Sequence, residues 1–143
     1  MKSKLIHNAA QRTFAVVFDP GDEVLEKLLA FARQHRLTAA SFTGLGALSD
    51  AVLGYFDCEE KRYRRIPIAE QVEVLNLTGN VALGNGEPKL HAHIVLGKAD
   101  GTAHGGHLLE AHVRPTLEVI VTESPAHLQR RTDPQTGLAL IQL

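Results

Sequence analysis

The clearest periodicity in the chain lies between residues 13 and 35. Residues 13–18 (TFAVVF) are β-branched, aromatic and small, and predict a strand. Asp19-Pro20-Gly21-Asp22 predicts a turn, with Asp22 as the N-cap of a helix over residues 23–35. Within that helix Val24, Leu25, Leu28, Leu29 and Ala32 recur at helical spacing, while Glu23, Glu26, Lys27, Arg33 and Gln34 take the other face. Downstream the pattern becomes strand-like. Residues 39–43, 51–57, 62–68, 72–77, 81–83, 90–96, 102–113, 117–122 and 138–143 read as strands. Gly44-Leu45-Gly46, Ser49-Asp50, residues 58–61, Asn85-Gly86, residues 98–101 and Pro115 read as the breaks between them, with Gly79 as a bulge. Residues 1–12 read as a loose lead-in, and residues 124–136, which hold Pro125 and Pro134, as a loop. One main helix among many mostly antiparallel strands is an α+β fold. With no internal repeat and no linker, residues 1–143 read as one domain.

Composition narrows the function classes. Apolar residues make up 44% of the 143, enough for a core, and net charge is −1 with histidines neutral. That balance argues against a surface built throughout to grip nucleic acid. Cys58 is the only cysteine, so no disulfide forms within the chain. The first residues lack the apolar run of a signal peptide, and no run of about 18 apolar residues spans a membrane. A cytoplasmic protein is the expectation.

The chemistry concentrates in one hairpin. Five of the eight histidines fall between His91 and His112. On a strand, His91, His93 and Val95 share one face, and Leu90, Ala92, Ile94 and Leu96 share the other, a core face. On the returning strand His107 has the parity of Leu109, Ala111 and Val113, so it should point inward. With a turn at residues 98–101, Gly97 faces Thr102 and His107 falls opposite Ala92. One extra residue on the returning strand, expected as a bulge at Gly105-Gly106, sets His107 opposite His93. Three neutral imidazoles then converge around one open position, a site for zinc or a similar divalent ion. Such an ion lowers the pKa of a bound water or polarises a carbonyl. The bland alternative is a His-x-His pair on a half-exposed polar face. His104 sits near the turn as a surface residue and spare ligand, and His112 is expected to face solvent or a neighbouring subunit.

Other residues hold weaker chemistry. Glu118, the one charge in residues 117–121, is a candidate carboxylate for orienting a histidine or for acid–base work. Arg114 is a candidate for binding a substrate carboxylate. Glu118 reads more readily as a charge on a half-exposed strand, as does Glu110, and Arg114 reads equally well as a surface charge. Cys58, in a polar turn, has no partner for a nucleophile's role. The one basic cluster, Lys61-Arg62-Tyr63-Arg64-Arg65, follows Asp57, Glu59 and Glu60 and reads as a solvated face.

Four motifs together resemble the PPC domain, the domain conserved in plants and prokaryotes. They are Gly44-Leu45-Gly46-Ala47-Leu48-Ser49-Asp50, the strand from Glu73 to Val81, His91-Ala92-His93 and Gly105-Gly106-His107. The likeness keeps their order and runs from about Thr13 to the C-terminus. It implies an α+β fold assembled as a homotrimer, with His91, His93 and His107 as the histidines that stand-alone prokaryotic members carry. The same fold superfamily contains acetolactate decarboxylase, which is similar in binding zinc through a His-x-His pair and a later histidine. Plant members carry a DNA-binding AT-hook with an Arg-Gly-Arg core, which this chain lacks. Three functions follow as expectations. The first is a trimeric metal-binding domain that takes a small carboxylate or carbonyl ligand. The second is a DNA-binding or protein-interaction module. The third is a metal-dependent lyase or hydrolase.

Overall fold

The computed structural model describes residues 1–8, 11–124 and 126–142. Its elements in chain order are β1 (Lys2–Asn8), β2 (Arg12–Phe18), α1 (Val24–Gln34), β3 (Ala39–Asp57), β4 (Arg62–Ile68), β5 (Val72–Gly84), β6 (Glu87–Gly97), β7 (Ala103–Glu123), β8 (Gln129–Thr132) and β9 (Ala139–Gln142). The strands form one sheet in which only β8 against β5 is parallel. The α+β class holds. The expected loose lead-in contains β1, antiparallel to β2, and the expected loop of residues 124–136 contains β8. Pro125 and Leu143 lie outside the described residues.

β3 and β7 are long, 19 and 21 residues, and run through the breaks expected at Ser49-Asp50 and Pro115. The physical reason is partner exchange. The first half of β3 pairs with β5, its second half pairs with β4, and β7 accompanies both. The β3–β7 ladder shifts register between Gly46 and Leu48, which pair with Leu117 and Val113. Pro115 falls inside that irregularity, where its missing N–H removes no registered pair.

β3 pairs β5, β5 pairs β6, β6 pairs β7, and β7 pairs β3 again. These pairings close a circuit, which leaves its strands few free edges. Each strand of the circuit sends side chains into the core: Leu48 and Leu53, Leu77, Ile94 and Leu96, Leu108 and Leu117, all at most 2% exposed. Helix α1 adds Val24, Leu28, Phe31 and Ala32. Its N-cap is Glu23 rather than Asp22. One Glu23 oxygen accepts from Glu26 N at 2.6 Å and the other from Ala111 N at 3.2 Å, so a single carboxylate caps the helix and ties it to β7. Asp22 instead accepts from Asp19 N at 3.0 Å within the turn.

His35, at the end of α1, packs on Phe31 and Phe14 with ring centroids 4.4 and 4.8 Å away. Its Nε2 is buried without a hydrogen-bond partner among the described residues. Burial, and then the nearby Arg12 guanidinium, hold its pKa below the ordinary histidine value. The fold therefore favours the neutral ring. His35 contributes stability that is full above about pH 6.5 and falls as pH drops below it, because the unfolded chain then binds the proton more readily. Chemical denaturation of wild type and His35→Phe from pH 7.5 to 5 checks this: the wild type should lose more stability than the variant. Parallel curves would refute it.

Candidate metal centre

β6 and β7 form the hairpin that builds the site. The turn is wider by one residue than the tight version expected. Gly97 pairs with Ala103, and Lys98 N donates to Thr102 O at 2.9 Å. Gly101, at φ 82°, takes the left-handed position that closes a three-residue hairpin loop, and Asp100 accepts from Thr102 N at 2.9 Å. The ladder then runs without a shift to His93↔His107. The pairing expected from the sequence is correct, but the extra residue sits in the turn and not in a bulge at Gly105-Gly106.

His107 also faces the other way from the parity expectation. Leu108 is the core residue, 1% exposed, and Ala111 and Val113 are buried with it. The β3–β7 register shifts between Leu53↔Leu108 and Val52↔Glu110, leaving Leu109 as an unpaired residue. That bulge reverses the parity count between His107 and Ala111. His107 thus shares a face with His91 and His93.

The three rings form a close triangle with centroids 5.1, 5.1 and 5.4 Å apart. One ligand atom from each lies within 4.8 Å of the others. His91 Nε2 and His93 Nε2 are 3.2 Å apart. Tetrahedral zinc, with Zn–N bonds of about 2.0–2.1 Å, holds its nitrogens roughly 3.3–3.4 Å apart, so this spacing suits such an ion. His91 and His107 are half-buried and His93 is exposed. Burial first, and then the charges of His91 and His93, push His107 down to about 4. Burial, followed by His93 and Arg130, lowers His91. Both rings are therefore neutral near pH 7, the state that ligates a metal. His107 Nδ1 is buried without a partner among the described residues. Tyr63 stacks on His107, with centroids 4.7 Å apart and planes 26° apart. Gly54, which pairs with His107 across β3 and β7, makes room for it: a Cβ there would lie 2.8 Å from Tyr63 Cδ1.

The other sequence candidates lie elsewhere. Glu118 is exposed and lines a separate cavity with Leu45, Asn76 and Ile120. Arg114 is exposed beside Pro115 and does not line the cavity that holds His91 and His107. His104 is exposed and pairs with Leu96, outside the triad. His112 is half-buried, with Nδ1 2.7 Å from Asp50 Oδ1. Glu110 accepts from Arg65 at 3.2 Å, Arg62 pairs with Glu60 at 2.7 Å, and Arg64 pairs with Asp57. The basic cluster is thus largely matched by carboxylates, with Tyr63 turned toward the site. Cys58 is exposed and free.

A cavity of about 430 Å³ opens beside the triad, lined by His91, His107, Tyr63 and residues of β8 and β9. Among these is Arg130, which is 8% exposed. Sequence reasoning passed over it because residues 124–136 read as loop. Its only local signal is the Arg130-Arg131 pair, and β8 becomes a strand only through its partners β5 and β9.

Comparison with known proteins agrees with this fold. A Pyrococcus horikoshii plant- and prokaryote-conserved (PPC) protein superposes with a TM-score of 0.86 at 32% identity, covering 99% of this chain and 95% of its own. A metal-containing protein from Archaeoglobus fulgidus gives 0.85 at 34% identity, over all of both chains. A Bacteroides thetaiotaomicron protein with a provisional DNA-binding name gives 0.88 at 28% identity, over 98% and 96%. A Staphylococcus aureus protein of unknown function, similar to alpha-acetolactate decarboxylase, gives 0.57 at 11% identity, over 77% and 51%, a likeness of fold alone. The bifunctional GlmU protein of Synechococcus sp. strain JA-3-3Ab is 30% identical over 129 residues. That match covers 88% of this chain, which spans about a fifth of the relative's length. Residues 6–125 match the Plants and Prokaryotes Conserved (PCC) domain, and the chain belongs to that family.

Proposed function

We propose that this chain is a homotrimeric, cytoplasmic metal-binding domain that holds zinc on His91, His93 and His107 and takes a small carboxylate or carbonyl compound at the metal. The carrying observation is the convergence of three imidazoles from two paired strands, with two Nε2 atoms 3.2 Å apart. An all-imidazole donor set suits zinc, and three protein ligands leave a fourth position for water or ligand. A metal bound there supplies Lewis acidity to whatever oxygen occupies that position. The chain's own part is to hold two of the rings neutral and to pack Tyr63 against His107. The metal-containing relative from Archaeoglobus fulgidus supports the reading. Among the described residues no helix is long and apolar enough to cross a membrane.

Self-association is supported by an exposed apolar face. Val17 on β2, Leu45 on β3 and Ile120 on β7 are 39, 62 and 44% exposed; β7 pairs with both β2 and β3, and the three surround Glu118, which pairs with Val17 and with Leu45. Apolar side chains grouped in this way mark an interaction surface. In sedimentation, wild type should run at three chain masses, and the Leu45→Glu/Ile120→Glu variant at one. A monomeric wild type would end the trimer reading.

DNA is the second reading, favoured by the provisional name of the Bacteroides relative. The pairing of Arg62, Arg64 and Arg65 with carboxylates weighs against it. Gel-shift assays at about 50 mM salt should therefore show no retention of duplex DNA. A shift that weakens with added salt and disappears in Arg62→Ala/Arg64→Ala would restore the DNA reading.

A further inference from the structure

We propose that the cavity beside the triad receives a small 2-oxo or 2-hydroxy carboxylate, with Arg130 as the residue that recognises its carboxylate group. The inference rests on the metal reading above and names the ligand class for that site.

Charge comes first. Three residues lining the cavity are cations, Lys89, Arg130 and Arg131, and no lining residue is an Asp or Glu. This is a local excess in a chain of net charge −1. Arg130 is more than nine-tenths buried. Its Nη1 donates to Ala139 O at 2.9 Å and its Nη2 donates to Asn80 Oδ1. Its Nε is buried without a partner, and no carboxylate pairs with it among the described residues. Both acceptors are neutral, so the guanidinium charge is desolvated and uncompensated. A buried cation in that state is costly. A carboxylate entering the cavity offsets the cost, because guanidinium and carboxylate match in charge and planar geometry.

Position comes second. Asn80, which holds Arg130, pairs directly with His91 across β5 and β6. Facing residues in such a ladder have Cβ atoms about 4.5–5.5 Å apart, so the guanidinium's anchor shares a rung with a triad member. A compound with a carboxylate and an oxygen on the adjacent carbon presents two groups at short separation. One meets Arg130 and the other takes the open position at the triad. Leu90, Leu138 and Leu140 supply an apolar wall for the rest of a small ligand, and about 430 Å³ lies within the range of small-molecule sites.

Titration calorimetry on the zinc-loaded full chain tests the assignment with four probes: pyruvate, propionate, acetone and inorganic phosphate. Pyruvate should bind one per chain, and each of the other three at least about tenfold more weakly, in line with the loss of one charge-assisted hydrogen bond or one metal contact. Arg130→Gln, with unchanged circular dichroism and zinc content, should lose about tenfold or more in pyruvate affinity. If that variant does not fold, the wild-type Arg130 Nε–H resonance supplies the test, since it should shift on saturation with pyruvate. Unchanged affinity in folded Arg130→Gln, an unmoved Nε–H resonance, or phosphate binding as tightly as pyruvate would overturn the proposal. Should wild type hold no zinc, the metal reading fails separately. Pyruvate and propionate would then bind alike, and loss of both in Arg130→Gln would leave only an anion site at Arg130.

Discussion

Replacing His107 with alanine should strip the metal while leaving the fold intact. Wild-type protein purified without a tag should carry close to one zinc per chain, and His107→Ala less than about 0.2 by elemental analysis. The effect is large because changes in the groups that merely support a ligand already cost about 10–100-fold in affinity, and loss of a ligand costs at least the upper end of that range. His107 is also the only triad member on β7, so no neighbour takes its place. His104 is exposed, three residues away and outside the triad. His104→Ala should therefore retain full zinc. The same pair separates in stability. Zinc at 100 times its dissociation constant should stabilise wild type and His104→Ala by about 2.7 kcal/mol and His107→Ala hardly at all. Equal zinc content in His107→Ala and wild type would remove the triad from the account.

Gly79→Ala should damage fold and site together. A Cβ at residue 79 would lie 2.3 Å from Phe42 Cζ and 2.5 Å from the His91 carbonyl oxygen. Phe42 is a 2%-exposed core ring and Gly79 pairs with it across β3 and β5, so neither has room to withdraw. Overpacking of this kind costs about 1–3 kcal/mol and sometimes more. The second contact carries the cost into function, because moving the His91 backbone displaces a triad ring. Urea denaturation should show the lost stability, and zinc affinity should fall with it. Adding Phe42→Leu removes the ring contact but not the His91 contact. The double variant should thus recover part of the stability over Gly79→Ala while its zinc affinity stays low. Wild-type stability in Gly79→Ala would contradict the packing described here.

Local periodicity was a good guide wherever an element is regular along its length. Val24, Leu28 and Ala32 of α1 are buried as their spacing predicts, and Ala92, Ile94 and Leu96 of β6 alternate with His91, His93 and Val95. The guide failed where a distant partner sets the geometry. The left-over Leu109 exists only because β7 lies against β3, so the parity of His107 was misread even though its pairing with His93 was right. Pro115 and Ser49-Asp50 resemble breaks until the long β3–β7 ladder carries the chain through them. Residues 2–8 mix lysines with apolar residues and declare no element alone; pairing with β2 makes them a strand. Arg130 was invisible for the same reason, since its burial depends on Asn80 and Ala139, 50 residues before it and 9 after.

Anomalous diffraction at the zinc edge from crystals of the untagged chain decides whether the triad holds zinc. One strong peak per chain is expected at about 2.0–2.1 Å from nitrogens of His91, His93 and His107 together. No peak at the triad, or a peak bound by other residues, would contradict it.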